Sequence, residues 1–341
     1  MERIRVVVFS LFVLASQFAL AQVEVTDLDK DIRRIIAGSC MHQRKPQPFW
    51  QAMNTHDPDM VIFAGDNIYA DSFPLSQMPN EYALLGQQDG FKKLHKSSEI
   101  LAIWDDHDYG ANDAGAEFSG KEISKKYFLD FWGTTKNDPR LNHDGIYNSY
   151  IYTHQGRSLQ IILLDTRTFR SELKKDSHAN KRYTLDYDPT RTMLGEEQWA
   201  WLESELSKEV SLRILVSSVQ VLPMEHGFEK WGNFPNERKR LLSMLDASGT
   251  KNLLILSGDR HRSEVSVIKS PDGTRVLTEV TASGLNQDTL KYDTEPNRYR
   301  QGEQFRQSNF TQLDINWEKN NLMISIFSWD DQLLMEYPFK W

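Results

Sequence analysis

Cysteine is nearly missing from this chain: Cys40 is the single one in 341 residues, so no disulfide can form within it. A lone thiol is either buried and inert or held as a ligand or nucleophile. Basic excess is missing too. Lys+Arg number 40 against 48 Asp+Glu, a net charge of −8, so no global basic field draws a polyanion and no specific nucleic-acid partner is expected. Beyond the N-terminus no apolar run reaches the roughly 18 residues that span a bilayer, so no membrane span is expected once a leader is removed. Internal repeats and low-complexity tracts are also missing. With 39% apolar and 11% aromatic residues, the chain has ample material for a packed core.

The N-terminus reads as an export signal. Glu2-Arg3-Ile4-Arg5 is a basic start, Val6 to Phe18 is nearly all apolar, and Ala19-Leu20-Ala21 suits cleavage before Gln22. Residues 1–21 are expected to be a removed signal peptide, and residues 22–341 a single catalytic domain of a periplasmic or extracellular protein.

What the chain has in abundance is polar chemistry at the ends of apolar strands. Arg34 to Gly38 runs into Ser39-Cys40, and Met60 to Ala64 runs into Gly65-Asp66 with Tyr69 three residues on. Ile100 to Trp104 runs into Asp105-Asp106-His107-Asp108, and Asn252 to Ser257 into Gly258-Asp259-Arg260-His261. Ligand sites of α/β sheets lie at such ends. Each stretch alone also reads as buried filler, a helix cap or a solvated acidic turn, but a metal-ion cluster explains all four together. A thiol, a phenol and an imidazole suit a Lewis-acidic transition ion, whereas carboxylates suit a hard ion. Asp66 could bridge the two, and paired cations about 4 Å apart clamp the attacking and leaving oxygens of a phosphoryl transfer.

Other stretches are plainer. Phe49 to Met53, Lys121 to Trp132, Gly195 to Leu206 and Pro235 to Leu245 read as helices, and residues 72–99 as loop and amphipathic helix. Tyr147 to Tyr152 and Leu159 to Leu164 look like a hairpin whose second strand ends in Asp165-Thr166-Arg167, another polar terminus on an apolar strand or, more plainly, an Asp165–Arg167 ion pair. Asp272-Gly273 is a further hairpin signal within the β-rich C-terminal part, and residues 168–193 read as a surface insertion, a solvated loop or part of a substrate rim.

The ordered series GSC, GDNIY, WDDHD and GDRH resembles the alkaline phosphatase D (PhoD-like) family of the calcineurin-like metallophosphoesterases. The segments 164–167, 231–238 and 279–283 look like that family as well, and the likeness covers about residues 34–285. The resemblance implies an α/β fold, a four-layer α/β/β/α sandwich. It implies one Fe3+ held at Cys40, Asp66, Tyr69 and His261, and one or two Ca2+ held at Asp66, Asp106 and Asp259, other divalent metals being alternatives. His107 matches the residue that assists the leaving group, with Asp105, Asp108 and Asn112 as supporting or further calcium positions. The activity implied is attack of a metal-bound hydroxide on a small-molecule phosphomonoester or phosphodiester. A phosphodiesterase or phospholipase-type specificity, or a non-catalytic secreted calcium-binding module, are the alternatives. Two departures stand out: Ser217, Ser218 and Gln220 occupy a region where the wider superfamily supplies histidines, and the N-terminal β domain of many members is not evident.

Overall fold

The computed structural model describes residues 27–177, 181–249, 251–270 and 276–341. The expected signal peptide and the Asp272-Gly273 turn lie outside these residues. In chain order the strands are β1 (Asp27–Asp29), β2 (Arg34–Gly38), β3 (Met60–Ala64), β4 (Glu99–Ile103), β5 (Asn148–His154), β6 (Arg157–Leu163) and β7 (Leu212–Ser217). They continue as β8 (Leu253–Ser257), β9 (Ser263–Lys269), β10 (Val276–Thr281), β11 (Arg300–Phe305), β12 (Asn309–Asn316), β13 (Asn321–Ser328) and β14 (Leu333–Lys340). The helices are α1 (Phe49–Thr55), α2 (Met78–Gly86), α3 (Asp89–Ser97), α4 (Asp106–Tyr109), α5 (Lys121–Trp132), α6 (Gly195–Leu206) and α7 (Pro235–Ala247).

Two sheets form, an eight-stranded one ordered β1-β5-β6-β7-β8-β10-β9-β11 and a six-stranded one ordered β14-β13-β12-β2-β3-β4. Strand alternation then builds the layers. Ile161 and Leu163 of β6, Ile214 and Val216 of β7, and Leu254 and Leu256 of β8 join the core shared with the six-stranded sheet. Their neighbours Ile162, Leu215, Leu253 and Ile255 point the other way, onto Trp199, Leu202 and Leu206 of α6 and Leu241 and Leu245 of α7. On the far side, β3 and β4 are covered by Phe49 and Met53 of α1, Leu85 of α2, Leu94 of α3 and Phe128 of α5. The result is helix, sheet, sheet, helix. Strands buried on both faces need continuous apolar runs, which is why MVIFA of β3, ILV of β7 and LLIL of β8 carry no polar alternation.

β2, β3 and β4 pair in parallel, as do β6, β7, β8 and β10. All their C-terminal ends therefore open on one edge of the sandwich. The loops there are tied together by backbone bonds from Cys40 to Gly65, from Gly258 to Ser218 and from Gly284 to Ser39. Two glycines permit that closeness. A Cβ on Gly65, at φ +101°, would sit 2.6 Å from the Asp105 Cβ, and one on Gly258 would sit 2.6 Å from the Ala64 carbonyl oxygen.

The hairpin expected at residues 147–164 is β5 and β6, paired antiparallel. Two strands went unanticipated. β1 has three residues, and β11 reads RQGEQF, a polar edge strand whose glycine breaks the apolar pattern.

Candidate metal centre and active site

The strand-end residues meet. Asp66 Oδ2 lies 3.5 Å from Cys40 Sγ and 3.3 Å from Tyr69 Oη, and Tyr69 Oη lies 3.0 Å from His261 Nε2. The other carboxylate oxygen, Oδ1, accepts the His107 amide at 3.2 Å. Asp66 thus has one oxygen toward the thiol, phenol and imidazole, and the other toward the loop bearing Asp106 and His107. Two groups of donor atoms fall within 4.8 Å of one another: Cys40, Asp66 and His261 in one, Asp66, Asp106 and His107 in the other. Asp66 is common to both.

Backbone strain accompanies this convergence. Cys40, Asp66, Asp259 and His261 all have left-handed backbone, with φ of 59°, 52°, 66° and 53°. Such conformations cost non-glycine residues on the order of 1–3 kcal/mol each and persist only where the surroundings enforce them. Here Ser283 enforces two of them. Its Oγ accepts the His261 amide at 2.7 Å and lies 3.2 Å from Cys40 Sγ.

Burial sets the charges. Desolvation, reinforced by neighbouring Asp66 and Asp259, pushes the Cys40 thiol well up, and desolvation with Asp66 and Cys40 does the same to the Tyr69 phenol. Desolvation also raises Asp66 well above the usual carboxylate range, and brings Asp259 to about 7 with the help of Asp106 and Glu229. The groups hold protons that a cation would displace. His261 is driven the other way, to about 3, by burial first and then by Arg260 and His107, which keeps the imidazole neutral. Asp259 Oδ2 is buried, accepts no hydrogen bond, and lies 3.5 Å from Arg260 Nη1. A thiol, a phenol and an imidazole around one carboxylate, with a further buried carboxylate oxygen that accepts no hydrogen bond, fit bound metal ions.

His107 occupies a different setting. Its Nδ1 lies 2.9 Å from Asp71 Oδ1, and its ring is 4.1 Å from that of Tyr69. Burial would lower its pKa, but Asp106, Asp66 and Asp71 outweigh that and raise it to about 11. Asp106 Oδ2 accepts the Asp113 amide at 2.6 Å, and its pKa falls below the usual range because His107 and Arg167 overcome desolvation.

The remaining acidic residues hold the loops. Asp108 accepts the amides of Asp105 at 2.7 Å, of Asp66 at 3.2 Å and of Asn67 at 3.2 Å, locking the β3 and β4 turns together. Asp105 is bound by Arg167 Nε at 2.6 Å and by Ser218 Oγ at 2.5 Å, and Asn112 is exposed. The expected Asp165–Arg167 ion pair does not form. Asp165 instead accepts the amides of Ile146, Arg167 and Thr168, each at 2.9 Å. The guanidinium of Arg167 reaches past it to Asp105 and to Glu229 Oε2, 2.8 Å away, while Arg170 Nε is 2.9 Å from Glu229 Oε1. Glu229 carried no signal in the sequence, since nothing near it marks a strand end. Nor did Asp71; Ser283 lies within the family-like segment 279–283, but nothing marked its partners, which are far along the chain.

The insertion 168–193 closes over this edge. Arg182 and Tyr183 donate their amides to the Gly227 carbonyl, Asp186 donates to that of Asn233, and Tyr183 Oη donates to Asp113 Oδ2 at 2.6 Å.

A model of the PhoD-like phosphatase family matches residues 36–325. The chain belongs to that family. Alkaline phosphatase D of Bacillus subtilis (strain 168) is 22% identical over 247 residues, which are 61% of this chain and 42% of that protein. The match therefore spans less than half of that relative's length. The solved structure of PhoD superposes with a TM-score of 0.71 at 15% identity, over 90% of this chain and 72% of that one. GAP50, the anchor in the inner membrane complex of Plasmodium, gives a TM-score of 0.60 at 14% identity, over 91% and 89%. These likenesses establish the fold, and the α/β sandwich expected for a PhoD-like member is the one observed. A fold that also serves an anchor leaves the chemistry to be argued from the site.

Proposed function

We propose that this PhoD-like family member is an exported, metal-dependent phosphoric ester hydrolase acting on a small-molecule monoester or diester. Residues 22–341 serve as its catalytic unit. One observation carries the reading: Cys40, Tyr69 and His261 are buried around one oxygen of Asp66, whose second oxygen faces the Asp106–His107 loop. A thiol and a phenol beside a carboxylate are costly to bury unless a cation takes the place of their protons.

In this reading Cys40, Asp66, Tyr69 and His261 hold Fe3+, and Asp66, Asp106 and Asp259 hold Ca2+. Bound there, such ions supply Lewis acidity, lowering the pKa of a water and neutralising phosphoryl oxygens. The chain's own residues do the rest. Asp71 Oδ1, 2.9 Å from Nδ1, pairs with the His107 ring by charge, leaving Nε2 to give a proton or hydrogen bond to the departing alkoxide. Arg167, held between Asp105 and Glu229, keeps the β4 loop in place while Asp108 holds it against the β3 turn. No helix among the described residues is long and apolar enough to cross a membrane.

The test is hydrolysis of a chromogenic phosphomonoester and a diester by the mature chain purified without chelators, alongside elemental analysis. Hydrolysis of either ester, lost on chelation, with iron near one equivalent and a visible band that disappears in Tyr69→Phe or Cys40→Ser, is the expected result. Absence of hydrolysis with any added metal, and calcium without iron, would overturn it in favour of a structural calcium module.

A further inference from the structure

Beside the metal-ligand cluster, residues 181–187 and 223–234 bring together charges that the reaction above does not use. His226 is 4% exposed. Its Nδ1 accepts the Phe228 amide at 3.3 Å, so the neutral ring carries its proton on Nε2, and Nε2 is buried with no hydrogen-bond partner. A buried donor without an acceptor costs about 1–3 kcal/mol. The surroundings of this donor are cationic. Lys230, 1% exposed, donates from Nζ to the carbonyls of His226 and Phe228, at 2.7 and 3.0 Å, leaving one N–H unspent.

The guanidinium of Arg260 lies 4.1 Å over the Phe228 ring, and Lys181 packs on Gly227, where an added Cβ would meet its Cα at 2.9 Å. Arg260 and Arg262 share Glu295, Arg260 also lies 3.5 Å from Asp259 Oδ2, and the nearby Glu229 is already taken by Arg167 and Arg170, which leaves Lys181 and Lys230 without a carboxylate among these. Positive charge is therefore in excess. Burial, with Arg260 and Lys181 alongside, holds Lys230 down at about 8, and burial with the same cations lowers His226 well below its usual value. Arg260 is also next in the chain to Asp259, so this cationic locus adjoins the proposed metal site.

We infer that His226, Lys230, Lys181 and Arg260 form an anion subsite that takes a second anionic group of the substrate, next to the phosphoryl group being cleaved. An anionic oxygen there would accept from His226 Nε2 and from the unspent Lys230 donor, and would neutralise the local excess. The inference rests on the hydrolase reading and narrows it to esters carrying at least one further phosphate or carboxylate.

The experiment compares glycerol bisphosphate with glycerol monophosphate, each as the free ester and as its methyl ester, using the mature holoenzyme. Lys181→Ala, at an exposed position, and His226→Ala are assayed in parallel. The wild-type protein should favour the bisphosphate in kcat/KM by about tenfold or more, the lower part of the range for a charge-assisted contact. Both variants should lose most of that ratio, through KM. A ratio near one in the wild type, or one that survives in both variants, overturns the subsite while leaving the hydrolase reading standing. No hydrolysis of any of the four esters overturns that reading itself. Inorganic phosphate as inhibitor separates the sources: unchanged inhibition in the variants assigns the subsite to a group on the substrate, whereas weakened inhibition shows that it takes free phosphate and overturns the substrate assignment.

Discussion

After β4 the chain reads Asp105-Asp106-His107, and after β8 it reads Asp259-Arg260-His261. Both triplets follow a mostly apolar strand, and each brings its imidazole into one of the two donor groups that share Asp66. Yet carboxylates, outweighing burial, hold His107 at about 11, while burial and Arg260 hold His261 at about 3. The middle residue differs, a carboxylate in one triplet and a guanidinium in the other. His107 also has Asp71 at Nδ1, whereas His261 Nε2 faces a phenol. In the proposed reading one imidazole keeps its proton and the other offers a lone pair. Their different uses come from neighbouring charge, because the two side chains are the same.

Breaking the shared point should have the largest effect. Asp66→Ala removes the carboxylate common to both triplets, so metal content and hydrolysis should fall together, the latter by at least the roughly 10²–10⁴-fold loss typical of a missing general acid. Elemental analysis beside a rate assay checks it, and retention of full metal would sink the bridging assignment. The comparison itself is tested by removing each histidine. His107→Ala should lower turnover by roughly two to four orders of magnitude with metal nearly unchanged, and His261→Ala should lose metal as well. Equal metal loss in both would make His107 a ligand and erase the distinction.

The support behind the β4 triplet comes next. Arg167→Met leaves Asp105 buried without its cation and Glu229 with Arg170 alone, and should destabilise the fold by about 3–5 kcal/mol, read from the denaturant midpoint at constant m. A shift below about 1 kcal/mol would mean that Ser218 and Arg170 suffice to hold those carboxylates. Smallest is Asp71→Asn, which keeps the shape beside His107 Nδ1 but removes the charge. A loss of about 10- to 100-fold in turnover at unchanged KM and metal content is expected, the usual scale for an outer partner of a site residue. Unchanged turnover would show that packing against Tyr69 alone orients the ring.

Much of this centre was legible in order along the chain. Cys40, Asp66, Tyr69, Asp106, His107, Asp259 and His261 each follow or lie close to the end of an apolar run of five or so residues, and such runs mark buried parallel strands whatever their partners. The supporting residues were not legible in the same way. Glu229 and His226 sit in a loop without periodicity, Ser283 is one serine among many, and the local Asp165–Arg167 pairing suggested by spacing gave way to a longer reach. Asp165 was already saturated by backbone amides, and Asp105 would otherwise have been buried without a cation. β11 escaped because an edge strand can remain polar on both faces.

By itself the sequence determined the α/β class, the strands that end in chemistry, and the donor types available there, because hydrophobic periodicity and ligand hardness are local properties of residues. Only the tertiary structure decided which donors share a centre, which carboxylates serve loops instead, and which of two like histidines keeps its proton. Those outcomes depend on desolvation and on charges brought within a few ångströms from distant parts of the chain, and both arise only when the two sheets close.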